Sequence, residues 1–181
     1  MTTLPAVDLE RDESLVAELH RLGVRHLIRL RPEVAGARLS PVVLLIGLAS
    51  HPQARFRTAL ILLFLRRPSL SRVVRAALTK LDEAGTNTLR LYYQAAAYLR
   101  PELEADLRQY SDDLAPLPDL FSGELGLPVP GAVPPEAALA ALGELHARLS
   151  GRAYNWCGSY RQHIPLFLRQ LRRASHAALA A

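Results

Sequence analysis

The stretch Ser40–Leu81, SPVVLLIGLASHPQARFRTALILLFLRRPSLSRVVRAALTKL, decides how this chain folds. Ser40 can cap a helix with Pro41 at its first position, where the missing N–H has no intrahelical partner to lose. Val42 to Leu48 is apolar nearly all round, which predicts a helix buried on most sides. His51-Pro52 breaks that helix and starts the next. There Phe56, Ala59, Leu60, Leu63 and Phe64 recur at helical spacing. Arg66-Arg67 close it, where cations suit the negative end of the helix dipole, and Pro68 stops it. Ser69 can cap a third helix, with Leu70, Val73, Val74, Ala77, Leu78 and Leu81 on one stripe and Arg72, Arg75 and Thr79 outside. The stretch therefore reads as three short helices packed into one layer.

Working outward, the flanks carry the same signal. Residues 1–11 read as a loose tail. Asp12–Leu22 reads as a helix, with Asp12 as N-cap, Leu15, Val16, Leu19 and Leu22 on one face and Gly23 as a stop. Val24–Arg31 fits a further helix ending at Pro32, although Leu-Ile-Arg-Leu-Arg could also extend. Downstream, Gly85 reads as the end of the third helix. Thr86 or Asn87 can cap a helix over Thr88–Leu99, with Leu89, Tyr92, Tyr93, Ala96 and Leu99 inward. Pro101 reads as the start of another short helix reaching Tyr110.

Residues 111–134 differ: five prolines and three glycines leave no room for a helix of normal length. Their leucines and Phe121 predict that this long loop lies against the protein body. Pro135 opens a helix to Leu149, with Leu139, Leu142, Leu145, His146 and Leu149 inward, and Gly151 ends it. Arg152–Tyr160, RAYNWCGSY, reads as an aromatic loop. A last helix over about Ser159–Ala178 presents Ile164, Phe167, Leu168 and Leu171, and tolerates Pro165 only in its first turn or as a kink.

With 181 residues, half of them hydrophobic, the chain can build a substantial core. Ala and Leu, the strongest helix formers, dominate. The single cysteine, Cys157, excludes an intrachain disulfide, a Cys-based zinc site and a CxxC pair. The opening MTTLPAVDLERDE has acids and no apolar core, so it does not read as a signal peptide. The uncharged apolar run Pro41–Ser50 is well short of the roughly 20 residues needed to span a bilayer. A cytoplasmic protein with no membrane association is expected.

The break His-Pro-Gln-Ala followed by Arg-Phe-Arg-Thr-Ala-Leu resembles a HEAT-type helical repeat. The matching positions are Pro52, Phe56, Arg57 and Ala59. Phe56 stands where a smaller residue is usual, and His51 where an Asp is common. The resemblance covers Ser40–Leu81 well and Thr88–Tyr110 poorly. It implies that Arg57 braces the neighbouring turn and does not bind ligand. The expected fold is thus all-α: a HEAT-like layered helical repeat of about seven to nine helices with a long proline-rich loop. Residues 1–181 form one domain, with 135–181 as a C-terminal helical pair.

Charge is uneven along the chain. Residues 38–90 carry a net +7, residues 101–147 a net −8, and residues 148–181 a net +6. Either the acidic segment lies over the basic helices and closes the fold, or the basic face recruits an acidic partner or a phosphate backbone. Arg55, Arg66, Arg67, Arg72 and Arg75 are the candidate contact cations of the middle helices; Arg169, Arg172 and Arg173 form a second cluster. Tyr154 and Trp156 join the candidates because Trp and Tyr are enriched at interface hot spots, with core anchoring as the commoner role of a lone Trp.

Chemistry-bearing motifs are absent. No phosphate-cradling, dinucleotide, zinc-protease or nucleophile-elbow pattern occurs. Cys157, His163 and His146 lack any spacing that makes a nucleophile pair, and Asp112, Asp113, Asp119 and Glu124 lack that of a calcium loop. No catalytic residue, cofactor or metal is expected. The leading expectation is a non-enzymatic scaffold or adaptor that binds a protein partner. Loosely, the chain is similar to small helical companions of nucleotidyltransferases in toxin–antitoxin-like pairs. The alternative is a nucleic-acid-binding domain, similar to HEAT-like DNA glycosylases, using the basic helical face; a third reading is a small-molecule enzyme whose residues converge only in space.

Overall fold

The computed structural model describes residues 6–25, 27 and 38–179, and among them every regular element is helical. The helices are α1 (Ala6–Arg21), α2 (Pro41–Ala49), α3 (Ala54–Arg66), α4 (Ser71–Leu78), α5 (Glu83–Tyr110), α6 (Ser122–Leu125), α7 (Pro135–Ser150), α8 (Trp156–Arg161) and α9 (Ile164–Leu179). A single 3-10 turn, Pro68–Leu70, joins α3 to α4. None of the described helices is long and apolar enough to cross a membrane.

Two helices form the centre. In α3 every residue from Thr58 to Leu65 is buried, because α2 and α5 pack on different sides of it. Its one polar residue in that run, Thr58, satisfies its hydroxyl by donating to the Ala54 carbonyl one turn back. α2, apolar all round as expected, is less enclosed: Val43 remains half exposed while Leu44, Leu45 and Leu48 are buried. A side chain added at Gly47 would strike Leu15 of α1, so this glycine lets α1 and α2 approach closely.

The second central helix, α5, is longer than its sequence suggests. It runs for 28 residues, with Pro101 inside it. Its N-cap is Asp82, whose carboxylate accepts the Gly85 N–H at 2.8 Å. Gly85, expected as a terminator, and Thr86 and Asn87, expected as caps, therefore all lie within the first turns of α5. Pro101 does not begin a new helix, because the unbroken burial of Leu91–Leu99 holds the helical path through it.

Other boundaries shift for similar reasons. α1 begins at Ala6, so part of the expected tail is helical and Asp12 sits in mid-helix, where it accepts from His51 Nε2 at 2.8 Å. Gly23 does end α1, with a left-handed φ of 86°. The helix expected over Val24–Arg31 falls mostly outside the described residues. Ser69 does not cap α4; its N–H and hydroxyl both donate to Asp113. α4 ends at Leu78, short of Leu81. The RAYNWCGSY stretch is no simple loop: Asn155 accepts the Gly158 N–H and caps α8. α9 accordingly begins at Ile164, and Pro165 lies in its first turn.

Residues 111–134 cross the molecule as a strap that touches α3, α4 and α5. Tyr93 and Tyr98 of α5 donate their hydroxyls to the carbonyls of Pro118 and Pro128 at 2.7 and 2.6 Å. Arg100 donates to the Ala115 carbonyl at 2.8 Å. Phe121 is buried against Tyr93, with the guanidinium groups of Arg75 and Arg90 over its ring. Two prolines that donate nothing thus still supply carbonyls, and the tyrosines use them.

Candidate functional site

A cleft of about 420 Å³ opens where three parts of the fold meet. The turn between α2 and α3 supplies Ser50, His51, Pro52 and Arg57. The N-terminal end of α5 supplies Asp82, Gly85, Asn87, Thr88 and Leu91. The C-terminal end of α7 and the start of α8 supply His146, Leu149, Arg152 and Trp156. A cleft of this size, part apolar with a few converging polar groups, is the common form of a ligand site.

The α2–α3 wall is rigid. Arg57 Nη1 donates to the carbonyls of both His51 and Pro52 at 2.7 Å. His51 is itself pinned. Its Nδ1 accepts the Gln53 N–H at 3.1 Å, so its Nε2–H donates to Asp12. Its ring stacks on Phe56 at 3.8 Å. Both ring nitrogens are engaged.

The opposite wall is built from α7 and α8. Gly151 ends α7 in the left-handed conformation that lets the chain turn back, and α8 lies against α7 at Gly143. This turn brings Trp156 onto His146, ring centroids 3.5 Å apart and nearly parallel. His146 Nδ1 and the Tyr160 hydroxyl are 2.8 Å apart, and Tyr92 meets both rings edge-on. Burial, with Arg57 nearby, lowers the His146 pKa to about 4, so the ring is neutral at physiological pH. Burial also drives the Tyr160 hydroxyl well above its ordinary value. The pair is a neutral hydrogen-bonded unit, and His146 Nε2 has no hydrogen bond among the described residues.

The candidate residues divide into two groups. Trp156 lines the cleft, and Tyr154 packs edge-on against it at 5.0 Å while remaining 60% exposed. Leu149, expected to point inward, is 48% exposed at the cleft. The cations lie elsewhere. Arg66 and Arg67 share Asp112 at 3.0 and 2.7 Å, and Arg75 and Arg90 share Glu124 at 2.6 and 3.2 Å. Partial burial would raise the Asp112 carboxyl, but the Arg67 hydrogen bond and Arg66 hold it below the usual range. Arg55 donates to Gln53 at 2.8 Å and lies over Phe56. Arg72 is exposed on α4.

In the second basic segment Arg161 pairs with Glu102 and Arg172 with Asp106. Among the described residues no group of three or more His, Cys, Asp or Glu side chains could hold a metal ion. His146 Nδ1 is turned to Tyr160 and not to Cys157. His146 and Arg152 are the cleft residues that periodicity does not single out. His146 occupies an inward position of α7 and looks like core; Arg152 follows a helix terminator and looks like surface. Compared with family models, with curated proteins and with solved structures, this chain matches none of them.

Proposed function

We propose that this protein is a non-enzymatic, HEAT-like helical module that binds a protein partner, and that the cleft between α2–α3, α5 and α7–α8 is its contact surface. The observation that carries the reading is the apolar rim, exposed Leu149 and Tyr154 beside half-buried Trp156, at a cleft braced by side chain-to-backbone hydrogen bonds. Large apolar groups held at the mouth of a rigid concavity are typical anchors of a protein interface. The role of Arg57 fits the resemblance: it holds the turn between two helices. His146 belongs to the same wall, held by one nitrogen on Tyr160 and one ring face on Trp156. The basic face first considered for a partner is less suited. Arg66, Arg67 and Arg75 already meet the chain's own carboxylates, which favours closure of the fold as their role.

The test is affinity purification of tagged protein from its native cells, followed by reconstitution with the retained protein. Wild type should retain one partner in stoichiometric amount, and the double variant Leu149→Glu, Tyr154→Ala should lose it. Retention unchanged in a folded double variant would remove the cleft from the interface.

A further inference from the structure

We propose that the cleft docks an acidic segment of the partner, seating a side-chain carboxylate between Arg57, Arg152 and the open Nε2 of His146. This rests on the partner-binding reading above and names the chemistry of what is bound.

Charge complementarity decides the sign. The cleft lining holds two guanidinium groups, Arg57 and Arg152, against one carboxylate, Asp82. Asp82 is already engaged as the N-cap of α5. The start of that 28-residue helix also points the positive end of its dipole at the cleft. The Arg152 guanidinium makes no ion pair among the described residues, while its backbone carbonyl accepts from the Trp156 indole at 3.4 Å. The main chain at 152 is therefore tied to the aromatic wall, and the charged end is left for a ligand. Arg57 is oriented by its two turn carbonyls. The same side chain lies against the Tyr92 hydroxyl, so Arg57 offers the cleft a fixed positive charge. His146 is 8% exposed and lines the cleft, and its Nε2 makes no hydrogen bond among the described residues.

The walls fix the rest of the occupant. Pro52, Leu91, Leu149 and Trp156 are apolar, so residues beside the acid should be apolar as well. A nucleic acid fits less well. A phosphate backbone needs a track of cations, one per phosphate. The arginines that could extend such a track, Arg66, Arg67, Arg75 and Arg90, are paired to Asp112 and Glu124.

Trp156 is the chain's only tryptophan, so its fluorescence reports the cleft directly. The probe is a nine-residue peptide in which glutamates flank each leucine, Gly-Glu-Leu-Glu-Gly-Glu-Leu-Glu-Gly, with its glutamine counterpart as control. The glutamate peptide should change Trp156 emission saturably, and the glutamine peptide should bind about tenfold more weakly or less. Arg152→Glu should abolish the response and Arg152→Lys should keep most of it; Arg152 is exposed, so neither change threatens the fold. Equal binding of the two peptides, or no saturable change, overturns the proposal. Saturation by an eight-nucleotide oligothymidylate with no response to the peptide also overturns it, because the bound anion would then be phosphate. The partner-binding reading stands or falls separately, on the Leu149→Glu, Tyr154→Ala purification.

Discussion

Gln94 is fully buried on α5, and neither end of its amide closes a hydrogen bond. It lies beside the Tyr98 hydroxyl, but that hydroxyl donates to Pro128. A buried amide without partners costs about 1–3 kcal/mol. Gln94→Met has nearly the same volume and removes both unmet groups, so it should stabilise the protein by roughly 1 kcal/mol. A urea midpoint that rises with unchanged slope is the expected result; a fall would mean that the amide is satisfied in solution. Single residues were unevenly legible in the chain. The turn-bracing bonds of Arg57 were expected only through the resemblance to a helical repeat. The role of His146 was not legible: its register on α7 matches Leu139 and Leu142, and only the return of α8 gives it Tyr160 and Trp156. That pairing is a tertiary event, and no spacing announces it.

At the scale of elements, local propensity and burial compete, and α5 shows which wins. Proline inside a helix removes one hydrogen bond and crowds the preceding turn, at a cost of about 3 kcal/mol. Yet α5 continues through Pro101, because Leu89, Tyr92, Tyr93, Tyr98 and Leu99 are buried ahead of it and Leu103 and Leu107 beyond. Each fully buried large side chain contributes roughly 1.5–3 kcal/mol, so several outweigh one proline. The helices of the Ser40–Leu81 stretch were readable because their periodicity and their proline punctuation agree. At Leu81–Gly85 the signals conflict. Gly85 suggests an end, but Asp82 three residues earlier supplies the cap that makes a beginning. Pro101 is exposed, so Pro101→Ala restores an N–H for the Ala97 carbonyl without disturbing the core. The variant should be more stable by about 1–3 kcal/mol in urea denaturation. No change would show that α5 has already relaxed around the proline.

Across the whole molecule the alternation of basic, acidic and basic segments becomes a set of cross-links. Asp112 and Glu124 of the strap meet Arg66, Arg67, Arg75 and Arg90, while Glu102 and Asp106 of α5 meet Arg161 and Arg172. Most of these pairs are partly exposed, so each adds little alone. Their acid dependence, joined to that of the cleft, nevertheless has a definite order. His146 has its pKa lowered to about 4 by burial and by Arg57, with Tyr92 and Tyr160 as its other polar neighbours. Between that value and the unfolded value of about 6.5 the unfolded chain binds the extra proton. Stability is therefore constant above about pH 7 and falls as pH drops, by about 2 kcal/mol between pH 7 and pH 5. His163, also lowered by burial, acts in the same direction. Asp112 and Asp113, held low against partial burial by Arg67 and Ser69, keep their contribution until the pH falls below the ordinary carboxylate range, and lose it there. Two successive losses should appear, one between about pH 6.5 and pH 4 from the cleft and one below about pH 4 from the strap. Urea midpoints measured at steps from pH 7.5 to pH 3 resolve them. His146→Gln keeps a partner for Tyr160 but cannot titrate, so it should flatten most of the first loss and leave the second. If His146→Gln falls as steeply as wild type near pH 6, the cleft imidazole is not the group that titrates there.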